Sequence, residues 1–112
     1  MSFMGVPYRW GGATPETGFD CSGFVQWVFS RHGVALPRET SMQFDIGAHV
    51  NRGDLLPGDL VFFETVSRGA SHVGLVIGPD TFVHAPSERG VVRVEHLSTR
   101  YWDTRFVGAR RI

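Results

Sequence analysis

After the Leu56-Pro57-Gly58-Asp59 turn the hydrophobic pattern changes period, and this limits the fold more than any other feature of the chain. Pro followed by Gly is the order a type II turn favours, because its third residue needs a positive φ. Beyond it come short apolar runs set off by turn residues: Leu60 to Phe63, His72 to Ile77, Thr81 to Ala85 and Val91 to Glu95, with Phe106 to Arg110 as a fifth. Runs of this length, rich in Val and Phe, read as strands. Before the turn the spacing is helical: Phe24, Val25, Val28 and Phe29 share one face. Asp20 precedes them as an N-cap, Gly33 closes the segment with His32 in its last turn, and Pro37 follows. A second, shorter helix is predicted after Thr40, running toward Asp45. Residues 5–19, rich in Gly, Pro and Thr, read as an ordered loop anchored by Tyr8, Trp10 and Phe19. Helices first and strands after give an α+β fold, with N-terminal helices packed on a mainly antiparallel sheet of about five strands.

With 112 residues and 42% hydrophobic content, the chain supports one compact core and not two. Basic and acidic residues balance at 11 each, and every basic residue is Arg. This neutrality argues against a nucleic-acid partner, since phosphate binding draws on net positive charge. Residues 81–112 hold six Arg and three acids, a mild asymmetry that suits an anionic polymer only weakly. No apolar run approaches the ~20 residues of a membrane span, and no charged-then-apolar leader pattern is visible.

The chain has a single cysteine, Cys21, which excludes an intrachain disulfide and the multi-thiolate zinc frameworks. It falls at the start of the predicted helix. There the positive end of the helix dipole and free backbone N–H groups favour thiolate, so a lowered thiol pKa is expected. The same N–H groups suit the oxyanion formed when a thiolate attacks a carbonyl. Burial as a small packing residue is the plain alternative.

A nucleophilic thiol needs a base, usually an imidazole. His32, His49 and His96 fall at a helix end, in a polar loop and at a strand end, and read as surface residues. His72 begins the strand "HVGLVI", and Gly74, two residues on, shares its face and leaves room for another group. His84 ends the next strand. If those strands pair about Gly78-Pro79-Asp80, both imidazoles meet at one end of the hairpin and should be hydrogen-bonded. His72 then serves as base for Cys21, and His84 orients it as the third member of a triad. Two histidines with one cysteine also make a conceivable zinc site.

The stretches "GVPYRWGG", "GFDCSGFVQWVF", "LPRETSMQ", "LLPGDLVFF", "SHVGLVIG", "FVHAP" and "RYWDTRFVGARRI" span nearly the whole of residues 5–112. In this order and spacing the chain resembles the NlpC/P60 family of cell-wall cysteine peptidases, which are papain-like in fold. The resemblance implies that Cys21 is the nucleophile, His72 the base and His84 its orienting partner. It implies that Tyr8 lies beside the nucleophile and that Asp20 and Ser22 help hold substrate. Ser22 is equally open to satisfying a helix-end N–H. Arg38 and Gln43 are expected to be structural hydrogen-bonders near the cleft, and Trp10, Trp27 and Trp102 to line core or cleft.

The implied activity is a cysteine endopeptidase acting on peptidoglycan stem peptides through an acyl-enzyme. Its expected target is the γ-D-glutamyl bond to a diamino acid such as meso-diaminopimelate. No cofactor and no metal are expected. The expected partner is peptidoglycan or a muropeptide, with no nucleic acid, no membrane span and a monomeric chain. Residues 1–112 read as one catalytic domain whose usual preceding helix is truncated, working outside the cytoplasm by the logic of its substrate. The rivals are a papain-like amidase or acyltransferase, a lytic effector of interbacterial or phage origin, and a non-catalytic wall-binding module. Retention of Cys21, His72 and His84 argues against the last.

Overall fold

Asp20 sets the first helix. Its backbone is extended at φ −91 and ψ 177, and its carboxylate accepts from Gly23 N–H at 2.7 Å, satisfying one of the donors a helix start leaves open. Helix α1 runs Cys21–Ser30. Gly33, at φ +79, closes it: Gly33 N–H reaches the Ser30 carbonyl and Val34 N–H the Phe29 carbonyl, the paired bonds of a Schellman motif. The computed structural model describes residues 13–14, 18–65, 68–85 and 92–112.

Two short strands, β1 (Ala13–Thr14) and β2 (Gly18–Phe19), pair with each other within the segment read as loop. Helix α2 (Thr40–Gln43) follows α1, and Thr40 is its first residue, not its cap. The remaining strands are β3 (Ala48–His49), β4 (Leu60–Phe63), β5 (His72–Val76), β6 (Thr81–His84), β7 (Arg93–His96) and β8 (Phe106–Arg111). They form one sheet in the order β3-β8-β4-β5-β6-β7, every adjacent pair antiparallel. The sheet thus has six strands where about five were expected. The sixth, β3, is a two-residue edge held to β8 by Ala48 opposite Arg111. Helix α3 (Arg100–Asp103), also unforeseen, sits between β7 and β8.

Strand β4 explains the layering. All four of its residues are buried, as a strand covered on both faces must be. Leu60 and Phe62 join Phe24, Val25, Val28, Val73, Leu75 and Val83 in a core under α1. Val61 and Phe63 turn the other way, into a second core with Val76, Phe82, Leu97, Trp102 and Ala109. His72 and His84 lie on this second face, against Trp102.

Candidate active site

The turn into α1 presents Cys21, half-buried, with its sulfur 3.6 Å from the Thr40 hydroxyl. The backbone N–H groups of Val73 and Ser22 also point at the sulfur. The thiol therefore lies against the start of β5, at the residue that follows His72. Burial is the largest influence on this thiol and pushes its pKa up, Asp20 adding to the rise, while Thr40, Val73 and Ser22 pull the other way without overcoming it. This corrects the expectation of a lowered thiol pKa: the helix terminus supplies the favourable N–H groups, but desolvation of the thiolate outweighs them.

The two histidines meet as the hairpin predicts. Leu75 opposite Val83 carries His84 diagonally toward His72, and His72 Nε2 lies 2.7 Å from His84 Nδ1, the rings at 90°. Gly74 makes the arrangement possible. A Cβ there would stand 2.5 Å from Phe82 Cδ2, so the space beside His72 is filled by the Phe82 ring, which lies 5.0 Å from that of His84. Trp102 covers the pair. Its ring stacks on His72 at 5.4 Å and meets His84 edge-on at 5.0 Å. His72 is 7% and His84 0% exposed. Burial, then the neighbouring His84, holds His72 well below the ordinary imidazole value. Burial, then the charge of Arg93, does the same for His84. Both rings are thus neutral near pH 7, and a neutral His72 can take up a proton.

Asp20, Ser22 and Arg38 form one cluster. Arg38 donates from Nη2 to Asp20 Oδ2 at 2.8 Å and from Nη1 to Ser22 Oγ at 2.9 Å. Gln43, fully buried, donates from Nε2 to the carbonyls of Ser22 and Pro37. Arg38 and Gln43 thus lock the backbone around Cys21. Tyr8 and Trp10 lie outside the described residues. His32, His49 and His96 are exposed. Among the described residues no group of three or more His, Cys, Asp or Glu is arranged to hold a metal ion.

Two residues near the site, Thr40 and Glu95, escaped the sequence reading, and for Trp102 only its contact with the histidines did. Thr40 was read as preceding a helix, yet its hydroxyl faces the thiol. Trp102 was placed only as core or cleft wall. Glu95 Oε2 lies 3.4 Å from His84 Nε2 and accepts from Arg93 Nε at 2.8 Å. The alternation of "RVEH" was the signal for the last: Arg93 and Glu95 share a face two residues apart.

A thiol at a helix start, set against a strand that carries a linked pair of neutral imidazoles, has the parts that acyl transfer through sulfur requires. The comparisons give the family. The NlpC/P60 family pattern matches residues 5–111, and the chain belongs to that family. It is 46% identical to the probable endopeptidase NlpC of Escherichia coli K12, covering 100% of this chain and 73% of that protein. It is 40% identical to the murein DD-endopeptidase MepH of the same strain, covering 100% of this chain and 43% of MepH. The chain therefore spans less than half of that relative. The peptidoglycan hydrolase RipB of Mycobacterium tuberculosis superimposes with a TM-score of 0.84 at 33% identity, over 99% of this chain and 59% of that one. The fold is the papain-like NlpC/P60 fold.

Proposed function

We propose that the chain is a cysteine endopeptidase of peptidoglycan stem peptides, working through Cys21, His72 and His84. The observation that carries this reading is the 2.7 Å link between His72 and His84 at the strand against which the thiol packs. In the proposed reaction Cys21 Sγ attacks the scissile carbonyl as its proton passes to His72. N–H groups of the first turn of α1, with Tyr8, hold the oxyanion. The C–N bond breaks, His72 protonates the leaving amine, and a thioester remains. His72 then takes a proton from water, which attacks the thioester and restores the thiol. Asp20 and Ser22, held by Arg38, supply the polar wall for the substrate.

The bond favoured is γ-D-glutamyl to meso-diaminopimelate, and the substrate sets the place of work outside the cytoplasm. Residues 1–112 act as one catalytic domain and as a monomer. MepH, named for DD-bond cleavage, favours a second reading in which the D-alanyl cross-link is cut. Incubation with purified disaccharide-tetrapeptide and with cross-linked dimer, read by mass spectrometry, separates the two. The first reading expects disaccharide-dipeptide from the monomer substrate. Conversion of dimer to intact monomers alone would replace it with the second, and no product from either would refute the peptidase reading.

A further inference from the structure

The His72–His84 pair uses one nitrogen of each ring, leaving His72 Nδ1 and His84 Nε2. The first is the only ring nitrogen of His72 left to exchange a proton with the thiol. The second faces Glu95, whose Oε2 lies 3.4 Å away. The sheet register places it there: Phe82 stands opposite Glu95 and His84 opposite Arg93.

A neutral imidazole carries one N–H, so the bond between the rings can run in either of two directions. If His72 Nε2–H donates to His84 Nδ1, His84 carries its proton on Nε2 and His72 keeps a free lone pair on Nδ1. If His84 Nδ1–H donates instead, His72 must carry its proton on Nδ1, and it cannot accept another from sulfur. Nothing in the apolar surroundings, Phe82 and Trp102, selects between these. A carboxylate does, because it can only accept: it favours a proton on His84 Nε2 and opposes a lone pair there. We propose that Glu95 is a positioning residue that fixes the tautomer of His84, and through it that of His72, so that His72 Nδ1 stays free to receive the thiol proton.

Arg93 completes the device. Its Nε donates at 2.8 Å to the same Glu95 oxygen that faces His84. The positive charge offsets the carboxylate, so Glu95 orients the imidazole without drawing it to imidazolium. Arg93 also ties down an acceptor side chain on a strand near the sheet edge, where exposed carboxylates otherwise sample several rotamers. The contact is long, so its leverage is less than that of the 2.7 Å bond between the rings.

This inference rests on the roles proposed above for Cys21 and His72, and the test separates the two. Two-bond ¹⁵N–¹H spectra of ¹⁵N-histidine protein near pH 7 report each tautomer directly, and kcat and KM are measured on disaccharide-tetrapeptide. In the wild type both His72 and His84 should carry their proton on Nε2. Glu95→Gln keeps an acceptor, its Oε1 held by Arg93, and should keep the tautomer and most of kcat. Glu95→Leu should mix the tautomers and lower kcat by about 10–100-fold with KM unchanged, the usual scale for losing a group that orients a functional imidazole. A wild-type His84 protonated on Nδ1 would overturn the proposal without need of any variant, as would a Leu variant that keeps both tautomer and kcat. If the wild type turns over no muropeptide, the function reading fails while the spectra still decide the role of Glu95.

Discussion

Strand β4 has a buried polar group at each end, and the two are built differently. Asp59, 2% exposed, precedes Leu60. His72 stands opposite Phe63 at the other end. Asp59 is surrounded by donors. Arg111 grips it with Nε on Oδ1 and Nη2 on Oδ2, both at 2.9 Å, and Leu56 N–H adds a third bond at 2.9 Å. Burial alone would raise its pKa, but Arg111 and Leu56 together bring it below the usual carboxylate range. The His72–His84 pair has a hydrogen bond but no full countercharge, and aromatic rings enclose it. At Asp59 the charged form is the stable one, and it fastens the turn to the C-terminal strand. At the histidines the neutral form is the stable one, because desolvation opposes a charge that no carboxylate in close contact balances. Burial thus accompanies a charged fastening in one place and a neutral pair in the other, and the difference lies in whether a countercharge was buried too.

The sharpest way to break this comparison is to remove the groups proposed for catalysis and leave the fastening intact. Cys21→Ser should abolish turnover, since a hydroxyl is a far weaker nucleophile than a thiolate. His72→Ala should cost ~10²–10⁴-fold in kcat, the usual price of a lost general base. In the proposed reaction His84 orients without shuttling the proton itself, so His84→Gln should lie between wild type and His84→Ala, and His84→Ala above His72→Ala. Circular dichroism should show every variant folded. Full activity in His84→Ala would leave a two-residue site and remove the purpose of the neutral pair.

Asp59→Ala is the reciprocal experiment. It removes a buried carboxylate and frees Leu56 N–H and Arg111, so unfolding in urea should show a loss of about 1–3 kcal/mol. The kcat at a temperature where the variant is folded should not change. A variant that loses activity with stability intact would mean that Asp59 communicates with the site, contrary to the division of roles drawn here.

What the sequence displayed, and what it hid, follows the range of the interactions concerned. Helix α1, its Asp20 cap and its Gly33 closure were legible because each is decided within a few residues. So were β4, β5 and β6, whose apolar runs are bounded by turn residues. The meeting of His72 with His84 was legible because a tight hairpin joins them. Strand β3 was not, since two residues show no periodicity and exist as a strand only through β8, about 60 positions away in the chain. Helix α3 is a single turn of four residues, and what fixes it is Trp102 seating in the second core. Glu95 shows only the "RVEH" alternation that pairs it with Arg93, and its place beside His84 comes from the register of β6 with β7. The thiol misled for a related reason: a helix start can be read from neighbouring residues, whereas desolvation depends on Thr40 and β5 closing over the sulfur.

The last expected effect lies in acid, where both buried sites destabilise the fold but in separate windows. His72 and His84 have pKa values depressed by folding. As pH falls below the unfolded imidazole value of about 6.5 the unfolded chain takes up protons first, so the stability present above that point is progressively lost. Each such histidine contributes a slope of up to about 1.4 kcal/mol per pH unit. Asp59 is also depressed, but its unfolded reference is about 3.9, so its contribution persists to that point and fades only below it. Between pH 6 and pH 4.5, therefore, loss of stability should come from the histidines and not from the fastening. Urea midpoints followed across that range should fall in the wild type, fall about half as steeply in His84→Gln, and keep the wild-type slope in Asp59→Ala. A flat wild-type profile would mean that the two rings accept protons without unfolding, and the neutral buried pair would no longer distinguish this end of β4 from the other.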